Sequence, residues 1–166
     1  MKKLGLILLS ADLCLRLVAC GSENKEDTNS NTNINEMSLN EIMDVVYEGI
    51  SDEDLPNMLE RKELKDADAD TKTWFLGSDA IEFEDALGSE SGIGSYAHSI
   101  VLVKVAEGSD VEATITALKD SINPRKWICV GVEPDEVAIE NIGNVILVAI
   151  DETNVEPFVE NFETLK

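Results

Sequence analysis

SIVLVKVAEGSDVEATITAL, Ser99 to Leu118, is the stretch whose reading decides the fold. Along an extended chain, Ile100, Leu102 and Lys104 fall on one side and Val101, Val103 and Val105 on the other. Both sides are mainly apolar, the pattern of a strand in the middle of a sheet. A short acidic turn follows, and then Val111, Ile115, Leu118 and Ile122 recur at helical spacing. Ser109 and Glu112 stand at capping-box spacing, and Pro124 stops the helix.

NVILVAIDETNVEPFVENF, Asn144 to Phe162, repeats that order: apolar strand, acidic turn, Val-Glu, helix. Before it, EVAIENI ends at Gly143-Asn144, a two-residue hairpin loop. Val155, Phe158, Val159 and Phe162 mark the last helix, with Pro157 in its first turn, where its missing N–H does no harm. Each copy is preceded by a further strand, so two β-β-α units are expected. Upstream, Trp74-Phe75-Leu76 and the alternating Ile81, Phe83 and Asp85 read as a hairpin, with GSESGIGS as a glycine-rich loop before the central strand. Ser38 and Glu41 make a capping box for a helix over 39–48, stopped by Gly49, while 51–70 is polar with at most a short turn after Pro56. Helices with one apolar stripe need a sheet to cover. The expected fold is therefore α+β, a two-layer sandwich of a mainly antiparallel sheet with helices on one face, built from residues 37–166 as a single domain.

The other end of the chain carries a different kind of information. Lys2 and Lys3 precede the mostly apolar LGLILLSADLCLRLVA, and the small Ala19 precedes Cys20, the order of a secretory signal peptide over residues 1–19. The apolar run is shorter than the ~20 residues a membrane-spanning helix needs, and Asp12 and Arg16 interrupt it. Those two charges are four residues apart with the acid first, the favourable order for a pair on one helix face. Leu17-Val18-Ala19-Cys20 resembles the lipobox of bacterial lipoproteins. The resemblance implies a diacylglyceryl group on the Cys20 thiol and cleavage between Ala19 and Cys20. GSENKEDTNSNTNINE then has one apolar residue and reads, with Cys20, as a flexible tether over 20–36, its root-mean-square span about 20 to 24 Å. The phrases GSYAHSIVLVKV, NPRKWICVGVE and NIGNVILV resemble a family of lipoproteins of clostridia-like, Gram-positive bacteria that carries domain of unknown function 4358. That similarity spans Thr73 to Ile150 and implies an exported lipoprotein; it implies no catalytic residues.

Charge narrows the partners. The chain carries a formal −21, and loss of Lys2, Lys3, Arg16 and Asp12 with the signal peptide makes it −23. Such a surface excludes phosphate-backbone recognition, so no nucleic-acid partner is expected. It also repels anionic headgroups, so membrane attachment must come from the lipid. Of three cysteines, Cys14 leaves with the signal peptide and Cys20 is consumed by lipid, which leaves Cys129 without a disulfide partner. Its apolar neighbours Trp127, Ile128 and Val130 predict a buried, unreactive thiol.

Candidate chemistry is sparse. Asp66, Asp68 and Asp70 have the opening spacing of a calcium loop, but Thr71 stands where that loop needs glycine and Gly77 where it needs glutamate. A solvated acidic loop is the expectation. His98 is the sole histidine, so a thiol dyad would have to join it to Cys129. Gly88, Gly92 and Gly94 precede a strand and no Lys-Ser/Thr, unlike a phosphate loop. Arg125-Lys126-Trp127 is a basic island that either holds an anion beside a stacking ring or is absorbed by nearby carboxylates and core. No metal, no cofactor and no catalytic residue is expected. The expected role is a non-enzymatic binding or assembly module, lipid-anchored through Cys20 at the outer face of the cytoplasmic membrane, with an unidentified protein or small ligand as partner. Two alternatives stay open: an envelope enzyme built on His98, Cys129 or a carboxylate pair, and a binder of cations or basic peptides that exploits the negative charge.

Overall fold

The computed structural model describes residues 33–166; the expected signal peptide, the lipobox-like Leu17–Cys20, Cys14 and the expected tether up to residue 32 lie outside the described residues. Five strands, β1 (Leu59–Glu63), β2 (Asp85–Ser91), β3 (His98–Lys104), β4 (Ala138–Ile142) and β5 (Val145–Asp151), form one sheet in the order β1-β2-β3-β5-β4. Every neighbouring pair is antiparallel. Among the described residues four α-helices accompany it: α1 (Leu39–Val46), α2 (Ala69–Leu76), α3 (Val111–Ser121) and α4 (Glu156–Glu163). The α+β architecture is that expected from the sequence, and β2-β3-α3 and β4-β5-α4 are the two β-β-α units.

The helices, however, are not confined to one face. In register, Leu87, Leu102 and Leu147 stand side by side across β2, β3 and β5. With Ile100 and Ala149 they pack under Ile42, Met43 and Val46 of α1 and Phe158 and Phe162 of α4. The alternate residues Val101, Val103, Ile146 and Val148 pack under Phe75 and Leu76 of α2 and Ile115 and Leu118 of α3. The expectation of a single covered face is thus corrected to helix, sheet, helix. The physical reason was already in β3: a strand apolar on both sides must be covered on both, since each buried aliphatic or aromatic side chain contributes about 1.5 to 3 kcal/mol. β3 and β5 run in opposite directions, so α3 and α4 leave from opposite ends of the sheet; α3 covers the face of Val101 and Val103, and α4 that of Ile100 and Leu102.

Local sequence explains where elements start and stop. Ser38 accepts from Glu41 N while Glu41 Oε2 accepts from Ser38 N at 2.9 Å, the expected capping box of α1. For α3 the cap is Asp110, which accepts from Ala113 N, one residue later than Ser109. The hairpin expected at Trp74 is not formed: Trp74-Phe75-Leu76 ends α2. Asp68 caps that helix by accepting from Thr71 N at 2.7 Å, and Gly77, at φ +79°, closes it in the left-handed conformation. Ile81 and Phe83 lie in the loop that follows and still pack into the α2-α3 core. The polar segment 51–70 holds the exposed edge strand β1, which has no apolar alternation to reveal it. The first half of the "glycine-rich loop", Gly88 to Ser91, is the end of β2, where Gly88 lies beneath the Phe75 ring, leaving no room for a β-carbon. Finally, Ile34 is buried in the α1-α4 core and Lys104 Nζ donates to Asn35 O at 2.8 Å, so residues 33–36 belong to the folded domain and not to the tether.

Candidate functional site

His98 opens β3 and is fully buried. Its Nδ1 lies 2.7 Å from Oδ2 of Asp151, the last residue of β5 and its direct cross-strand partner. Its Nε2 lies 2.6 Å from the Tyr47 hydroxyl, at the C-terminal cap of α1, and that hydroxyl donates to Ser89 Oγ of β2 at 3.0 Å. Asp151 Oδ1 accepts from the N–H groups of Thr153 and Asn154 at 2.8 and 3.1 Å. The rings of Tyr47 and Phe158 pack around the imidazole, with centroids 5.9 and 5.5 Å away. Burial pushes the Tyr47 phenol well above its ordinary range, because its ionised form loses water. Carboxylate, imidazole and phenol in line have the connectivity of a proton relay, yet His98 exposes no atom and both ring nitrogens are engaged within the fold. No nitrogen is left to activate Cys129. That thiol is exposed beside Ile128, which is 97% exposed, so the expectation of a buried cysteine is corrected. The segment around it is a loop, from which Trp127 and Val132 turn into a small core with Ala97 and Ile150, and Val130 packs against it half-buried.

The basic island divides. Arg125 pairs with Glu133 at the surface. Lys126 turns inward: its ammonium lies 3.2 Å from Glu90 Oε1, donates to Ser99 Oγ at 3.0 Å and Trp74 O at 3.2 Å, and faces three rings, Trp74, Phe75 and Trp127, at 5.2, 4.9 and 5.0 Å from their centroids. The Glu90 contact meets the ion-pair distance without a well-aligned hydrogen bond to Oε1. Burial lowers the Lys126 pKa, with the Glu90 carboxylate pulling the other way. The bland reading of RKW therefore holds, and sequence offered no sign that Glu90, in a segment read as loop, would be the partner.

Two open grooves of about 430 Å³ each lie near these clusters. One runs between α2 and the β1-β2 part of the sheet, with Trp74 in its wall. The other lies where α1, β5 and α4 meet; Glu48, Asp54, Asp151 and Glu160 line it above Phe158. Asn161 of α4 closes the floor by donating to the carbonyls of Val46 and Glu48. Among the described residues no group of three or more His, Cys, Asp or Glu is arranged to hold a metal ion. The Asp66-Asp68-Asp70 run is the start of α2, with Asp68 spent as its cap and its carboxyl held below the ordinary range by the Thr71 N–H.

These features define an α+β domain with an antiparallel sheet between helices, inward-facing ionisable clusters and two outward-facing grooves. Compared with family models, curated proteins and solved structures, the chain matches none. No helix among the described residues is long and apolar enough to cross a membrane.

Proposed function

We propose that the protein is a non-enzymatic binding module, exported and held at the outer face of the cytoplasmic membrane by a diacylglyceryl group on Cys20. One observation carries the binding half of this reading: the side chains with the connectivity of a reactive centre, His98-Asp151 and Lys126-Glu90, are engaged with their own neighbours and largely buried, whereas the grooves they border are open. A catalytic acid or base must reach its substrate within hydrogen-bond distance, and His98 offers no approach. The lipid half rests on the Leu17-Cys20 resemblance and on the charge. An acidic domain has no affinity of its own for anionic lipid, whereas two acyl chains anchor stably at about 0.8 kcal/mol per buried methylene.

Radiolabelled palmitate tests the anchor: wild-type protein is expected to take up label, and Cys20→Ala to lose it and to accumulate as precursor or appear in the medium. A variant that stays processed and membrane-bound would refute the anchor. A second reading, a binder of organic cations or basic peptides, is favoured by Glu48, Asp54 and Glu160, the three carboxylates of the α1-α4 groove that the fold does not bury. Spermine, titrated against wild-type and Glu160→Gln protein by calorimetry, is expected to lose affinity in the variant if that groove is used.

A further inference from the structure

Resting on the binding-module reading, we infer that the groove between α2 and the β1-β2 part of the sheet is a carbohydrate subsite, with Trp74 as its stacking platform and an uncharged pyranoside bearing equatorial substituents as its ligand. Trp74-Phe75-Leu76 is consecutive in a helix, so its side chains leave the axis about 100° apart. Phe75 and Leu76 turn into the core and Trp74 points out, 42% exposed. A partly exposed tryptophan is not unusual. What distinguishes this one is its anchorage: the indole Nε1 donates to Glu90 Oε2 at 2.5 Å, and the Lys126 ammonium sits 5.2 Å from the ring centroid while holding the Trp74 carbonyl. The Lys126 and Glu90 side chains are themselves only 6% and 13% exposed. Withdrawing an ion pair from water is unfavourable unless its geometry is good, and replacing such a pair by apolar residues is often neutral or stabilising. Here the pair fixes a ring that remains open to solvent. A ring immobilised before binding loses little rotamer freedom on contact, the condition for a stacking platform.

The walls define the ligand's chemistry. Glu60, Lys62 and Glu90 share one face of the sheet, and Asp70, Thr71 and Trp74 come from α2. Lys62 and the buried Lys126 offset two of the three carboxylates, and Arg61, also in the lining, is paired with Asp44, so the groove is close to neutral in a chain of −21. An anion is repelled by the molecule as a whole. A strong cation is better served by the three exposed carboxylates of the other groove, Glu48, Asp54 and Glu160. A neutral polyol matches what remains: its hydroxyls donate to carboxylates in charge-assisted bonds and accept from an ammonium. A pyranose with equatorial substituents also presents a flat face of axial C–H groups, which an indole ring covers. The groove is open and evenly polar, unlike the enclosed apolar pockets that hold drug-like ligands.

The test uses the full chain in a sugar-free zwitterionic detergent. Trp74 and Trp127 are the only tryptophans, so Trp127→Phe leaves Trp74 as the sole indole reporter. Titration with β-1,4-linked tetramers of glucose and of N-acetylglucosamine is expected to give a saturable emission change for at least one, with a Kd on the order of 1 mM or tighter. Calorimetry on the wild-type chain gives the same readout should Trp127→Phe not fold. Trp74→Ala is expected to abolish binding, measured well below its own melting transition, which should be lowered because Glu90 Oε2 loses its indole donor, and Trp74→Phe to weaken binding. Absence of heat and of emission change with both tetramers at about 10 mM would overturn the subsite, as would binding that survives Trp74→Ala. Spermine binding without a sugar response would overturn the subsite and leave the module reading standing. Loss of the palmitate result bears on the anchor alone.

Discussion

Asp151 is a buried carboxylate that accepts from one side chain and two backbone N–H groups, and His98 has no contact with water at all. Such a network is stabilising only when complete, because each partner left alone keeps its full desolvation penalty. Asp151→Ala should therefore destabilise the domain by about 3 kcal/mol or more, seen calorimetrically as a Tm lower by roughly 10 °C; an unchanged Tm would mean that the relay contributes nothing to stability. Tyr47 makes a second test at alkaline pH. Its folded pKa is raised by burial, so above about pH 10 the unfolded phenol has lost a proton that the folded one keeps. The folded state then binds more protons, and stability falls as pH rises. Tyr47→Phe is expected to remove that share of the alkaline slope in urea unfolding measured between about pH 9 and 11, while lowering stability at neutral pH by the lost bonds to His98 and Ser89.

At the scale of the element, α2 shows how packing and caps overrule a local pattern. Trp-Phe-Leu read alone has strand chemistry, and only the Asp68 cap, Gly77 and the fit of Phe75 over Gly88 make it a helix end. A β-carbon on Gly88 would lie 2.5 Å from the Phe75 ring, and one on Gly77 2.1 Å from Ser121 O. Gly88→Ala should cost about 1 to 3 kcal/mol by overpacking, with urea unfolding as the measure. Because Phe75 must shift, Trp74 should shift with it, and its emission in Trp127→Phe protein is expected to change. Gly77→Ala should be worse, since its neighbour is backbone and its φ disfavours any side chain. Helices α1 and α3, by contrast, were legible because their apolar residues recur at helical spacing beside a cap, and β5 because a two-residue Gly143-Asn144 loop sets it off from β4. β1 has neither periodicity nor caps. Its exposed residues are held by pairing with β2, and pairing lies outside any window of sequence.

For the whole molecule the layer count is the decisive property, and it is open to a direct test. Val103 faces α2 and α3, and Leu147 faces α1 and α4, both without exposed surface. Val103→Asp and Leu147→Asp should each unfold the domain, because an unpaired buried carboxylate consumes several kcal/mol of a total near 5 to 15 kcal/mol. Circular dichroism on the two variants decides it: in a two-layer sandwich one of them would meet water and be tolerated. Sequence by itself determined the antiparallel α+β class, the two β-β-α units, the helices α1, α3 and α4 and the central place of β3, since these rest on periodicity and turn chemistry within about twenty residues. It determined the acidic surface as well. Tertiary structure alone decided which face each helix covers, that Lys126 meets Glu90 over β2 and β3, that Cys129 is exposed, and that His98 is held between Asp151 and Tyr47. Each of those depends on residues tens of positions apart becoming neighbours, and the free energy that brings them together is burial summed over the whole core, which no local stretch contains.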